Sequence, residues 1–193
     1  MRIGVLALQG AFAEHISVLR KLSVEAVEIR LPEQLAGLDG LIIPGGESTS
    51  ITLLMHNYQL AREIQRLAKS GFPIFGTCAG MIVLARQLSN DGGVTPLGAI
   101  DVAVSRNAFG RQVDSFETAL KIPAVGDDPF TCVFIRAPRI ESVGDKVEVL
   151  ATLADGTIVA ARQGNLLVTS FHPELTADTR LHEYFLDMVS GKR

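Results

Sequence analysis

The chain has 193 residues, 47% of them apolar and 6% aromatic with no Trp, which is enough for one substantial core and too little for two ordinary ones. Eighteen Lys and Arg against 21 Asp and Glu leave a formal charge of −3 with no basic run that could follow a phosphate backbone, so a nucleic-acid role is disfavoured. Apolar stretches such as residues 72–85 are interrupted by Gly, Pro, Thr and Cys before they reach the roughly 18 residues that a membrane span requires, so no membrane role is expected.

Residues 1–8 carry one basic side chain and a short apolar run that passes into Gln9-Gly10, and they read as a first strand over 3–8 rather than as a secretory leader. A helix over 13–21 and a strand over 25–30 follow, then a strand over 41–43 that ends at Pro44-Gly45-Gly46. Ser48 and Thr49 open a helix, and Leu60, Ile64, Leu67 and Ala68 repeat at the spacing of another that stops at Gly71. A short strand over 73–75 leads into Gly76-Thr77-Cys78-Ala79-Gly80, and a helical run continues to about residue 87. This alternation predicts a parallel sheet with helices on both sides.

The second half changes character. Residues 97–104, 116–122, 131–135, 147–153, 157–161 and 166–170 read as strands joined by turns at 126–129 and 154–156. A last helix sets Leu181, Tyr184, Phe185, Met188 and Val189 on one face. The expected fold class is α/β: a three-layer, open, mostly parallel sheet with helices on both faces and an antiparallel extension, forming a single domain over residues 1–193. Cys78 and Cys132 cannot make a disulfide framework, which fits a reducing cytoplasm.

Gly76-Thr77-Cys78-Ala79-Gly80 has the form of a nucleophile elbow with Cys in the usual place of Ser. The glycines leave room where strand and helix close on the turn, and a thiol at a helix N-terminus is biased towards the thiolate. The bland alternative is a buried structural Cys, the reading given to Cys132, which has no glycine frame. A nucleophile needs a base, and Phe171-His172-Pro173-Glu174 offers one. Pro173 keeps His172 out of the α region, so the segment is expected to be extended, with His172 and Glu174 projecting to one side as base and orienting carboxylate. The H-x-E pattern also occurs in zinc deaminases, but the P-C-x-x-C partner is missing, so no metal or other cofactor is expected. Of the remaining histidines, His15, just after the first strand, could face a ligand or a partner but is assigned to the surface, and His56 and His182 to solvated or capping positions. Pro44-Gly45-Gly46-Glu47-Ser48 reads as a tight turn and helix cap, as an anion site, or as a loop whose amides polarise a carbonyl. In the last case one N–H from this loop and one from Ala79 would form an oxyanion hole.

Pro44-Gly45-Gly46, the Cys78 elbow and His172-Pro173-Glu174 together resemble the class I, triad-type glutamine amidotransferases. The segments 4–10, 45–49, 106–112 and 171–175 narrow the resemblance to the family of glutaminase subunits of pyridoxal 5′-phosphate synthase, with small differences such as Ser50 and Ala108. By position, the resemblance implies Cys78 as nucleophile, His172 as general base and acid, and Glu174 as its orienting carboxylate. It assigns glutamine binding to Gly46, Glu47, Ser48, Arg106, Ile135 and Arg136, and for such a reaction the loop and elbow amides expected at the oxyanion are those of Gly46 and Ala79. Guanidinium suits the α-carboxylate of glutamine because it binds in a forked geometry; read alone, Arg136 is equally a surface residue at a strand end. The family further implies a synthase-subunit partner in a large hetero-oligomer, channelled ammonia, and weak activity before docking. A glutaminase serving another synthase and a noncatalytic module on the same fold are the rival readings.

Overall fold

The computed structural model describes residues 1–90, 92–106 and 115–193. Its first half runs β1 (Arg2–Leu6), α1 (Phe12–Lys21), β2 (Glu25–Ile29), β3 (Gly40–Ile43), α2 (Ser48–Asn57), α3 (Leu60–Lys69), β4 (Ile74–Thr77) and α4 (Ala79–Leu84). The second half comprises β5 (Ala85–Leu88), β6 (Ile100–Ser105), β7 (Ser115–Leu120), β8 (Phe130–Ile135), β9 (Arg139–Val143), β10 (Glu148–Thr152), β11 (Ile158–Gln163), β12 (Leu166–Thr169) and α5 (Arg180–Val189).

The branched apolar strands of the first half are buried on both faces, and alternate residues enter different cores. Leu41 and Ile43 of β3 pack with Met55, Ile64 and Met81 of the α2–α4 layer. Ile42, between them, enters the other core with Ile16 and Leu19 of α1 and Phe185 of α5. In β4 the neighbours Ile74 and Phe75 divide in the same way. Each fully buried side chain of this size contributes about 1.5–3 kcal/mol.

The main sheet has the order β2-β1-β3-β4-β12-β11-β9-β6-β5, with β10 added on β11. It is parallel from β2 to β12. It then turns antiparallel through β11, β9 and β6, and β7 and β8 form a separate antiparallel pair. The predicted parallel core and antiparallel extension are therefore both present.

Three local expectations change. Residues 85–88 pair with β6 as strand β5 instead of continuing the helix, because α4 stops at Leu84 after a single buried run. Their Ala-Arg-Gln-Leu sequence favours a helix, and pairing overrides that preference. Strand β9, which follows Pro138, had no counterpart in the sequence reading, and the strand expected from residue 97 starts at Ile100, after Gly98 with its φ of 66°. Residues 107–112 of the motif beginning at Arg106 lie outside the described residues.

Candidate active site

Strand order reverses at β1, whose neighbours β2 and β3 follow it in sequence, and open α/β sheets bind ligands at such a point, beyond the carboxyl ends of their strands. The segments after β1, β3, β4 and β12 all converge there. After β4 the chain turns sharply at Cys78, which has φ 48° and ψ −103°, and α4 begins at Ala79. The N–H of Cys78 donates to the carbonyl of Thr169 on β12 at 2.8 Å. A Cβ at Gly76 would stand 2.7 Å from the carbonyl carbon of Gly80, and one on Gly80 would strike the carbonyl of Ile43. The glycine frame is therefore a steric requirement, and a non-glycine residue held at positive φ stores about 1–3 kcal/mol.

Cys78 lines a cavity of about 500 Å³ together with Gly46, Glu47, Ser48, Ile82, Arg106, Ile135, Arg136 and His172. Its sulfur lies 3.9 Å from the carbonyl oxygen of Ile135. A larger groove of about 1130 Å³ beside Arg62, Arg66 and Leu97 has neither a cysteine nor any residue of the elbow or the His172–Glu174 pair in its lining, so its size does not make it the site. Cys132 is fully buried, and burial pushes its thiol up to about 12.

The N–H of His172 donates to the carbonyl of Val133 on β8 at 2.8 Å. His172 stays out of the α region, as Pro173 demands, but the chain does not continue extended. Pro173–Leu175 form a 3-10 turn, and this turn, not strand alternation, brings the Glu174 carboxylate back to His172, with Oε1 2.7 Å from Nδ1. Burial opposes charge on His172, yet Cys78 and Glu174 outweigh it and raise its pKa to about 10. Burial also opposes ionisation of Glu174, and His15 and His172 reverse that effect, so its pKa falls.

The loop after β3 passes over this pair: a Cβ at Gly45 would lie 2.9 Å from Nδ1 of His172 and 3.2 Å from the Cβ of Cys78. The N–H of Gly45 donates to Thr77 Oγ1 at 3.0 Å, and its carbonyl accepts from Ala11 at 3.0 Å. The N–H of Glu47 donates to Gln9 Oε1 at 2.7 Å. The Glu47 carboxylate accepts from the N–H groups of Thr49 and Ser50 at 2.9 and 2.7 Å, so the N-terminus of α2 is capped from within and not left open for phosphate. Partial burial works against ionisation of Glu47, but hydrogen bonds from Ser50 and Thr49 bring its pKa down to about 2. Arg106 Nη2 is 3.3 Å from Thr49 Oγ1 and 3.7 Å from Glu47 Oε1.

Every site residue expected from the sequence thus lies at this cavity or directly behind it, including Ala79, whose amide adjoins Cys78 at the start of α4. Two assignments are overturned: His15 and His182 are not surface or capping residues but fully buried, next to Glu174 and to each other. The helical pattern held the signal, since His15 shares the buried face of α1 with Ile16, Val18 and Leu19, and His182 that of α5 with Leu181 and Phe185. His56 is exposed at the end of α2, as expected.

Residues 5–191 match the model of the SNO glutamine amidotransferase family. The chain is 61% identical over 190 residues to a "Pyridoxal 5′-phosphate synthase subunit PdxT" of Dehalococcoides mccartyi strain 195, covering 98% of this chain and 97% of that one. A protein of the same description from Herpetosiphon aurantiacus is 57% identical, covering 97% and 100%. A crystal structure described as a glutamine amidotransferase superposes with TM-score 0.93 at 48% identity, covering 98% of this chain and 100% of that one. A chain of PurLQS from Thermotoga maritima superposes at 0.71 with 17% identity over 96% and 97%, a likeness of fold alone.

Proposed function

The chain belongs to the SNO glutamine amidotransferase family, and from that premise we propose that it is the glutaminase subunit of a pyridoxal 5′-phosphate synthase. It hydrolyses L-glutamine to L-glutamate and ammonia and passes the ammonia to a synthase subunit with which it forms a complex. The observation that carries this reading is Cys78 on a strained elbow, in one cavity with a histidine whose Nδ1 is 2.7 Å from a buried carboxylate.

Cys78, as thiolate, attacks the side-chain amide carbon of glutamine and forms a carbon–sulfur bond, and the carbonyl electron pair moves onto oxygen. The amides of Gly46 and Ala79 stabilise that oxyanion. As the tetrahedral adduct collapses, the carbon–nitrogen bond breaks and His172 gives its proton to the departing nitrogen, releasing ammonia. Acylation removes the thiolate that held the proton on His172, so the imidazole becomes neutral and able to activate water. Water then attacks the γ-glutamyl thioester as His172 takes its proton, the carbon–sulfur bond breaks, and glutamate leaves with the thiolate and the protonated His172 restored. Glu174 keeps the Nδ1 hydrogen in place throughout. Glu47, Ser48, Arg106, Ile135 and Arg136 line the space for the amino-acid end of the substrate, where a guanidinium can pair with its carboxylate.

Ammonia released into bulk water is largely protonated and loses its nucleophilicity, so a glutaminase that serves a synthase gains by delivering it to a docked partner. The chain works as a single glutaminase domain over residues 1–193 in the cytoplasm. Both cysteines are unpaired, which suits a reducing compartment, and among the described residues no helix is long and apolar enough to cross a membrane. The test is glutamate release by the purified chain, alone and with the synthase subunit, with Cys78→Ala as the blank. Turnover that rises on adding the synthase and disappears in the variant is expected; turnover retained by Cys78→Ala would refute the mechanism.

A further inference from the structure

Behind the triad, on the side away from the cavity, His15 of α1, His182 of α5 and Thr77 of β4 are buried together, each with no exposed surface. His15 Nδ1 lies 2.9 Å from His182 Nε2, and His15 Nε2 lies 3.2 Å from Thr77 Oγ1 and 3.4 Å from Glu174 Oε2. The last distance is longer than an ordinary hydrogen bond, and Oε2 has no other partner. Phe75 packs its ring edgewise against both imidazoles.

The environment fixes which nitrogens carry hydrogen. A carboxylate only accepts, so the His15 nitrogen facing Glu174 is the protonated one, and His15 Nδ1 must accept from His182 Nε2–H. That leaves His182 Nδ1 as a bare lone pair, and it is the ring nitrogen that has no partner. The opposite tautomers would aim a lone pair at the carboxylate and bury an N–H without an acceptor, which is the costlier fault.

We propose that His15, oriented by His182, is a positioning residue for glutamine hydrolysis: its Nε2–H rests on Thr77 Oγ1 and turns its positive end, 3.4 Å away, to the otherwise unbonded Oε2 of Glu174, so that Oε1 remains aimed at His172. Through Thr77, which also accepts from the N–H of Gly45, the same imidazole ties the triad carboxylate to the glycine loop over Cys78. The proposal rests on the reading of Cys78, His172 and Glu174 as the triad. The groups facing His15 are Glu174 and His172 from the segment after β12, His182 from α5, Thr77 from β4, and Glu14 from its own helix. Burial lowers the pKa of His15 despite the opposing pull of Glu174, and it lowers that of His182 to about 3. In both rings burial thus favours the neutral form.

The test measures glutaminase kinetics in the complex with the synthase subunit for His15→Phe and His15→Gln, beside Cys78→Ala. His15→Phe removes the donor, and kcat should fall about 10- to 100-fold while KM for glutamine stays within about twofold. His15→Gln returns an N–H near the Nε2 position and should recover most of that loss. Unchanged kcat in His15→Phe, or equal losses in both variants, would overturn the positioning role. Turnover retained by Cys78→Ala would instead remove the triad reading itself. Should His15→Phe fail to fold, 15N NMR of the histidine rings in the wild-type chain decides. His15 and His182 should both be neutral with hydrogen on Nε2 from about pH 6 to 9, across the range in which an unperturbed imidazole titrates; hydrogen on Nδ1 of His15 would overturn the proposal.

Discussion

The two sides of Cys78 are built on opposite physical plans. Behind it, the side chains of His172 and Glu174 are 7% and 0% exposed and are fixed by a backbone bond to β8, a 3-10 turn and two buried histidines. In front, Glu47 is 51% exposed at its side chain and Ile135 is 40% exposed, around a cavity open to ligand. In the proposed mechanism the chemistry that is the same in every turnover is locked by burial, while the part that must admit and release an amino acid is polar and accessible. Loss of a group should therefore appear in kcat on the buried side and in KM on the open side.

The largest effect tests the buried side. Glu174→Gln can present an N–H to His172 Nδ1 and favour the wrong tautomer, so kcat should fall about 10²- to 10⁴-fold with little change in KM. Steady-state kinetics with glutamine check this, and a loss confined to KM would break the comparison. Gly45→Ala places a methyl group against both His172 and Cys78, and a loss of about 100-fold in kcat/KM is expected. Arg136→Ala tests the open side: KM should rise about tenfold, the worth of one charge-assisted contact, and kcat should change little.

A smaller effect lies in the pH dependence of stability. His172 binds its proton more tightly when folded, with a pKa of about 10 against 6.5. Its contribution to stability is therefore fully present below pH 6.5, and it is lost as pH rises through about 10. Since Cys78 is a cause of that shift, Cys78→Ala should flatten the decline in melting temperature over this window, and an unchanged slope would count against the coupling. Smallest is Glu47→Gln. Its carboxylate is depressed to about 2, so the stability it adds is present above pH 4.5 and lost as pH falls towards 2. The variant should melt slightly lower than wild type at pH 7 and no differently below pH 2.

How far the sequence could be read follows from where the information resides. The elbow was legible because Gly76 and Gly80 are demanded by contacts within one strand-turn-helix unit. The His172–Glu174 pair was legible for the same reason, although Pro173 produced a turn instead of an extended segment. Strand β5 was not legible, since only its register with β6 keeps Ala85 to Leu88 from remaining helical. Nor were His15 and His182 recognised, being 167 positions apart and meeting only through the packing of α1 and α5 on one face of the sheet. Titratable residues at buried helix positions raise a functional question that apolar residues there do not.

Cys132, a residue of β8 sealed in the core with its thiol at about 12, leaves the chain with one thiol that a small electrophile can reach, Cys78. A stoichiometric thiol reagent would therefore count competent copies one by one. In a complex with the synthase subunit, the fraction labelled gives an occupancy census that needs no turnover at all.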